Sequence, residues 1–165
     1  MKNSAVRYGI FGGVSVVAYF LAFYFAKPQL MLEPAVVWAS VVMYLVFMFL
    51  ATRQERKAQG DESYTFKQAL RTAFLTFVII NTIYYLFNFL LYRVDPTMLI
   101  YQKEMIVRNM KWMSEWLNQD LPEQELQKFR ADNHPVSIGN MLFSLLRSFI
   151  FGFIIALPVA ALARR

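Results

Sequence analysis

Apolar side chains run along this chain in four long blocks, residues 8–26, 35–51, 69–92 and 138–163, with most of the charge gathered between them. A helix needs about 20 apolar residues to cross roughly 30 Å of hydrocarbon, so each block predicts a membrane-spanning helix. Lys27-Pro28 and a few neighbours join the first two blocks, which makes those helices antiparallel neighbours. Glu33-Pro34 opens the second, with proline where a first helical turn tolerates a missing N–H. The first block reads as a retained span and not as a cleaved leader. It is longer than a leader's apolar core, and Tyr24 spoils the small-x-small site that Ala26 would complete.

Between the third and fourth blocks the pattern changes. Asp95-Pro96 is turn chemistry that ends the third helix. From residue 97 to 117 the spacing is helical: Leu99, Ile106, Met110, Met113 and Leu117 recur on one stripe, with Trp112 and Trp116 beside it and Lys103, Arg108, Lys111 and Glu115 filling much of the remainder. Asp120-Leu121-Pro122-Glu123 fits a capping box, which predicts a second short helix ending near Asn133-His134-Pro135. The expected fold is therefore all-α. One membrane domain covers residues 1–165, a four-helix bundle with two short extramembrane helices in a module over 93–137. That pair either lies on the membrane with its Trp residues at the headgroups, or offers Met110, Trp112, Met113 and Trp116 to a partner protein or lipid.

Charge sets the expected direction. Lys2, Arg7, Arg53, Arg56, Lys57, Lys67, Arg71, Arg164 and Arg165 fall on one side, against Lys27 and the mixed-sign module on the other. Basic flanks are retained in the cytoplasm, so both termini are expected there, with the module on the far side of a bacterial inner membrane. The formal charge of +6 is then explained by these flanks and by anionic lipid at the cytoplasmic face, not by nucleic acid.

Two groups of residues stand out inside the spans. Small residues form seams: Gly9, Gly12 and Gly13 in the first, and Asn140, Ser144, Ser148, Gly152, Ala156 and Ala160 at every fourth position of the last. Such seams let backbones approach closely, within the bundle, in a homodimer or against a foreign helix. Ala18, Ala22 and Ala26 offer the first helix a second close-packing face. Arg147 is a charge deep in the fourth span, about 13 Å along the helix from its outer end. No Asp or Glu lies in any span. Asn81, Tyr84, Tyr85 and Asn88 fall at comparable depth on the third helix, which predicts a polar cluster of these with Arg147, Ser144 and Ser148. The cluster either satisfies a structural arginine or binds an anion such as a lipid phosphate.

Chemistry is sparse elsewhere. The chain has no Cys and one His, His134, which excludes thiol nucleophiles and Cys- or His-based metal sites. No phosphate-binding loop, zinc-protease or serine-hydrolase motif is present, and no intramembrane acid or His forms a proton relay. No cofactor and no enzymatic activity are expected. The leading expectation is an accessory or scaffold protein that contacts a partner membrane protein or a second copy. The alternative is lipid or small-solute handling with an anion site around Arg147.

Tyr8-Gly9-Ile10, the run Tyr64-Thr65-Phe66-Lys67-Gln68-Ala69-Leu70-Arg71, the Met- and acid-rich segment before the last span and the ending Ala161-Leu162-Ala163-Arg164-Arg165 resemble the domain of unknown function 4199 family. The resemblance runs over nearly the whole chain and implies a small bacterial inner-membrane protein of similar length. It brings no activity and no catalytic residues. Lys67 stands where members often have Gly, and Arg147 near where they have an acid, so no role for a charge at that place is carried over.

Overall fold

The computed structural model describes residues 4–60, 64–117, 127 and 138–164. The described residues are helical apart from turns: α1 Ser4–Ala26, a 3-10 turn Pro28–Leu32, α2 Pro34–Gln59, α3 Phe66–Val94, α4 Thr97–Leu117 and α5 Ile138–Arg164. α1, α2, α3 and α5 are long and apolar enough to cross a membrane. The expected second extramembrane helix, with His134, lies outside the described residues.

The helices outrun the apolar blocks, because good helix formers continue past the last apolar residue. α2 carries its charged tail through Arg53, Glu55, Arg56 and Lys57 until Gly60 adopts φ 87° and ends it. α3 begins at a capping box. The Thr65 N–H donates to Gln68 Oε1 at 2.7 Å and the Gln68 N–H donates to Thr65 Oγ1 at 3.4 Å. Tyr64, just outside that cap, is buried against Ala69 and Ala160 and staples the entry of α3 to the last turns of α5.

α3 and α2 form the middle of the bundle. Each touches α1, α5 and the other, whereas α1 and α5 do not touch. The core lies along these contacts and holds Val16, Phe20, Tyr44, Met48, Phe77, Ile80 and Ala156. Phe25, Phe143 and Ile150 point outward, 80%, 71% and 68% exposed, which suits hydrocarbon and not water. Buried hydroxyls turn back on their own helices. Thr52 donates to the Met48 carbonyl and Thr76 to the Thr72 carbonyl, each at 2.8 Å.

Close approach is set by glycine. A Cβ on Gly9 would stand 2.8 Å from Ile79 Cβ, and one on Gly13 would stand 2.5 Å from Ile83 Cδ1. A Cβ on Gly152 would fall 2.0 Å from Phe77 Cε1. Ala156 and Ala160 continue that seam, both fully buried. The small residues thus close within the bundle, α1 on one face of α3 and α5 on another. The second expected face of α1 is different: Ala18, Ala22 and Ala26 are exposed, because among the described elements α1 touches only α2, α3 and the 3-10 turn.

Polar contacts tie the two ends. Where α1 starts and α2 and α5 finish, the Ser4 N–H donates to Glu55 Oε2 at 3.3 Å and Arg56 Nη1 to the Ala163 carbonyl at 3.4 Å. At the opposite end Asp95 joins three helices. Its N–H donates to the Leu91 carbonyl and closes α3, its Oδ1 accepts from the Thr97 N–H at 3.0 Å and opens α4, and its Oδ2 accepts from the Tyr24 hydroxyl of α1 at 2.9 Å.

Gly152→Ala should cost about 1–3 kcal/mol by overpacking. The Phe77 ring cannot swing aside, since it is buried against Tyr44. Reversible unfolding in detergent measures the loss, and Phe77→Leu in the same chain should recover part of it. The bonds from Thr97 and Tyr24 hold the Asp95 carboxyl below its ordinary value of 3.8. A depressed carboxyl adds stability above its unfolded value and loses it as pH falls through the folded value. The gap in Tm between the natural protein and Asp95→Asn should therefore be open at neutral pH and close as pH drops below 3.8.

Candidate functional site

The polar residues of the spans meet where α3 faces α5. α3 turns Asn81 and Asn88 inward, 5% and 9% exposed. Asn81 Nδ2 donates to Ser148 Oγ, and the Ser148 hydroxyl donates onward to the Leu145 carbonyl at 2.6 Å. Tyr85 stands beside them. Its hydroxyl lies near the Ser148 side chain and near the Arg147 guanidinium. Asn88 Nδ2 donates to the Tyr84 carbonyl at 3.2 Å, and its Oδ1 is buried with no partner among the described residues. Tyr84 itself packs its ring on Phe20 and Tyr85.

The expected cluster is thus divided between two faces. Asn81, Ser148 and Tyr85 come together, and Tyr84 and Asn88 pair about two turns along α3. Ser144 and Arg147 are exposed and share no hydrogen bond with any described residue. The reason is helical phase. Successive residues are turned by about 100°, so Ser148 and Arg147 cannot both face α3. Arg147 instead shares a stripe with Asn140 and Ser144, seven and three residues before it, and all three are exposed. Phe143, Leu146 and Ile150 flank them, 71%, 62% and 68% exposed.

The second candidate face lies on α4. Met98 is fully buried, and Tyr101 and Met105 pack on the bundle core. Val107, turned about 180° from Met98, is buried as well, and Leu99, Ile106 and Met110 of the expected stripe are half-buried while Met113 is exposed. The Asp95-Pro96 turn fixes the rotation of α4, and the residue it brings under the helix is Met98. Arg108 reaches Glu33 at the start of α2, an ion pair of 3.0 Å, both partners solvent-accessible. A cleft of about 290 Å³ opens there, lined by Gln29, Leu32, Glu33, Tyr101, Glu104 and Arg108. Beyond Arg108 the helix continues for about 13 Å. Trp112 and Trp116 share the helical phase of Met98 and Met105, so the face that sits on the bundle carries two indoles once it has passed it. They are 67% and 76% exposed, and Met113 beside them is 52% exposed. Met110 is half-buried. The signal for this was present in the sequence at residues 98, 101, 105, 112 and 116, a second helical register next to the more apolar one.

Among the described residues, no group of three or more His, Cys, Asp or Glu side chains is placed to hold a metal ion. The arrangement is a helical bundle with four helices long and apolar enough to cross a membrane, a polar pair inside and a cation outside. The chain belongs to the family described as "Protein of unknown function (DUF4199)", whose profile matches residues 7–165. No curated protein and no solved structure matches it.

Asn81 and Ser148 should couple weakly. Interhelical hydrogen bonds in membranes average about 0.6 kcal/mol in double-mutant cycles and reach about 1.7 kcal/mol. A cycle of Asn81→Leu and Ser148→Ala, read by reversible unfolding in bicelles, should give a coupling energy in that range.

Proposed function

We propose that this is a non-enzymatic multi-pass protein of the bacterial inner membrane, with both termini in the cytoplasm, that acts as an accessory or scaffold for a partner membrane protein. The orientation rests on charge. Arg7, Arg53, Arg56, Lys57, Lys67 and Arg71 lie on the helix ends grouped with the termini, where they meet anionic lipid. Lys27 lies at the other end.

The observation that carries the scaffold reading is the exposed Trp112, Met113 and Trp116 face of α4. Indole and thioether side chains at one exposed place are the composition of a contact surface. A photoactivatable residue at Trp116 tests it in living cells. One discrete protein adduct is expected, and mild-detergent purification should bring down the same protein in stoichiometric amount. Trp112→Ala with Trp116→Ala should remove it. Adducts to lipid alone would end this reading and leave α4 as a surface anchor.

A second reading, lipid or small-solute handling at Arg147, is favoured by the exposure of that guanidinium. Its mark is an anionic lipid that survives purification and is lost in Arg147→Leu.

A further inference from the structure

Arg147 lies near the middle of the membrane. On α3, Arg71 and Arg93 bracket the apolar stretch, about 33 Å apart along the axis, close to the roughly 30 Å of a bilayer's hydrocarbon. Asn81 sits about 15 Å from Arg71, midway between them. Its bond to Ser148 sets the level of α5 against α3, so Arg147, one residue from Ser148, is at mid-plane. Its guanidinium is a cation with five N–H donors and no acceptor. It makes no ion pair or hydrogen bond with any described residue, and the spans hold no carboxylate. Tyr85 of α3, which lies near it, offers a hydroxyl and not a carboxylate. An arginine at the centre of a helix is costly to hold in hydrocarbon, so the face that bears it is stable only when something covers it.

Three occupants can cover it, and depth and charge separate them. A lipid phosphate would have to sink through most of one leaflet to meet a side chain that leans only part of the way toward it. A second copy related by a two-fold axis along the membrane normal would bring its own Arg147 to the same depth on the same face, placing like charges together at low dielectric. A helix of another protein with an acid at its middle meets both demands, since charged groups inside membranes pair with one another. Asn140 and Ser144, on the same stripe, are small or polar enough to let that backbone come close.

We infer that the Arg147 face of α5 binds a transmembrane helix of a partner protein that carries an Asp or Glu at the bilayer mid-plane. This rests on the accessory reading and names the chemistry of its partner.

The test uses the full chain in phosphatidylcholine vesicles, which carry no net lipid charge. The protein has no cysteine, so one added after Arg165 takes a single fluorophore. The probe is a labelled polyleucine helix with one central Glu, and energy transfer reports association. The central-Glu helix should bind about tenfold more tightly than an all-leucine helix or one with Glu two turns from the centre, the effect expected of one charge-assisted bond. Arg147→Leu should abolish the preference and Arg147→Lys should keep it. Arg147→Leu makes the lipid face more apolar and so should still insert, with helix content checked by circular dichroism. No preference for the central Glu, or a preference that survives Arg147→Leu, overturns the inference. So does native mass spectrometry in which Arg147→Leu loses bound phosphatidylglycerol or a dimer, because either names a different occupant. A partner crosslinked at Trp116 that persists in Arg147→Leu leaves the accessory reading standing while this inference falls.

Discussion

Glycines press two helices against α3 from different sides, Gly9, Gly12 and Gly13 on the isoleucines at 79, 80 and 83, and Gly152 on Phe77. Lipid tails are as apolar as the helices, so burying apolar surface gives little drive for association in a bilayer. Dispersion at close range has to do that work, and it falls off steeply with a gap of even half an ångström. The absence of a Cβ at these four positions is therefore what lets α3 act as the centre. The Asn81–Ser148 bond and the burial of Ala156 and Ala160 depend on α5 being that close.

The ends of the bundle use different means. Where the termini gather, a carboxylate accepts the first N–H of α1 and a guanidinium reaches the last carbonyls of α5, both favourable to helix dipoles. At the other end Asp95 serves α1, α3 and α4 together, and the Glu33–Arg108 pair holds the middle of α4 to the start of α2. Interior contacts set the spacing of the helices, and these polar contacts set their register and direction.

Much of this was legible in the sequence, because the bilayer imposes a length that four apolar blocks satisfy. The glycine seams were legible for the same reason, as spacing on one helix face. What was not legible was which face meets which neighbour. α2 ran on to Gln59 since Arg, Gln, Glu and Lys continue a helix as well as Leu does. Of the expected cluster, Asn81 bonds Ser148, while Arg147, one residue away on α5 and turned by about 100°, is exposed. α4 buries Met98 and, on its opposite face, Val107, neither of which belonged to the more apolar stripe read from the sequence. Local pattern fixes that a face exists, and only tertiary contacts decide its azimuth.

That α1 and α5 do not touch has a consequence for biogenesis. α1, α2 and α3 contact one another and precede α5 in the chain, so a three-helix body can be complete before α5 leaves the ribosome. α5 could then join on the surface that α2 and α3 present. In that order its Gly152 seam would meet a Phe77 already in place, with Arg147 left on the outer side.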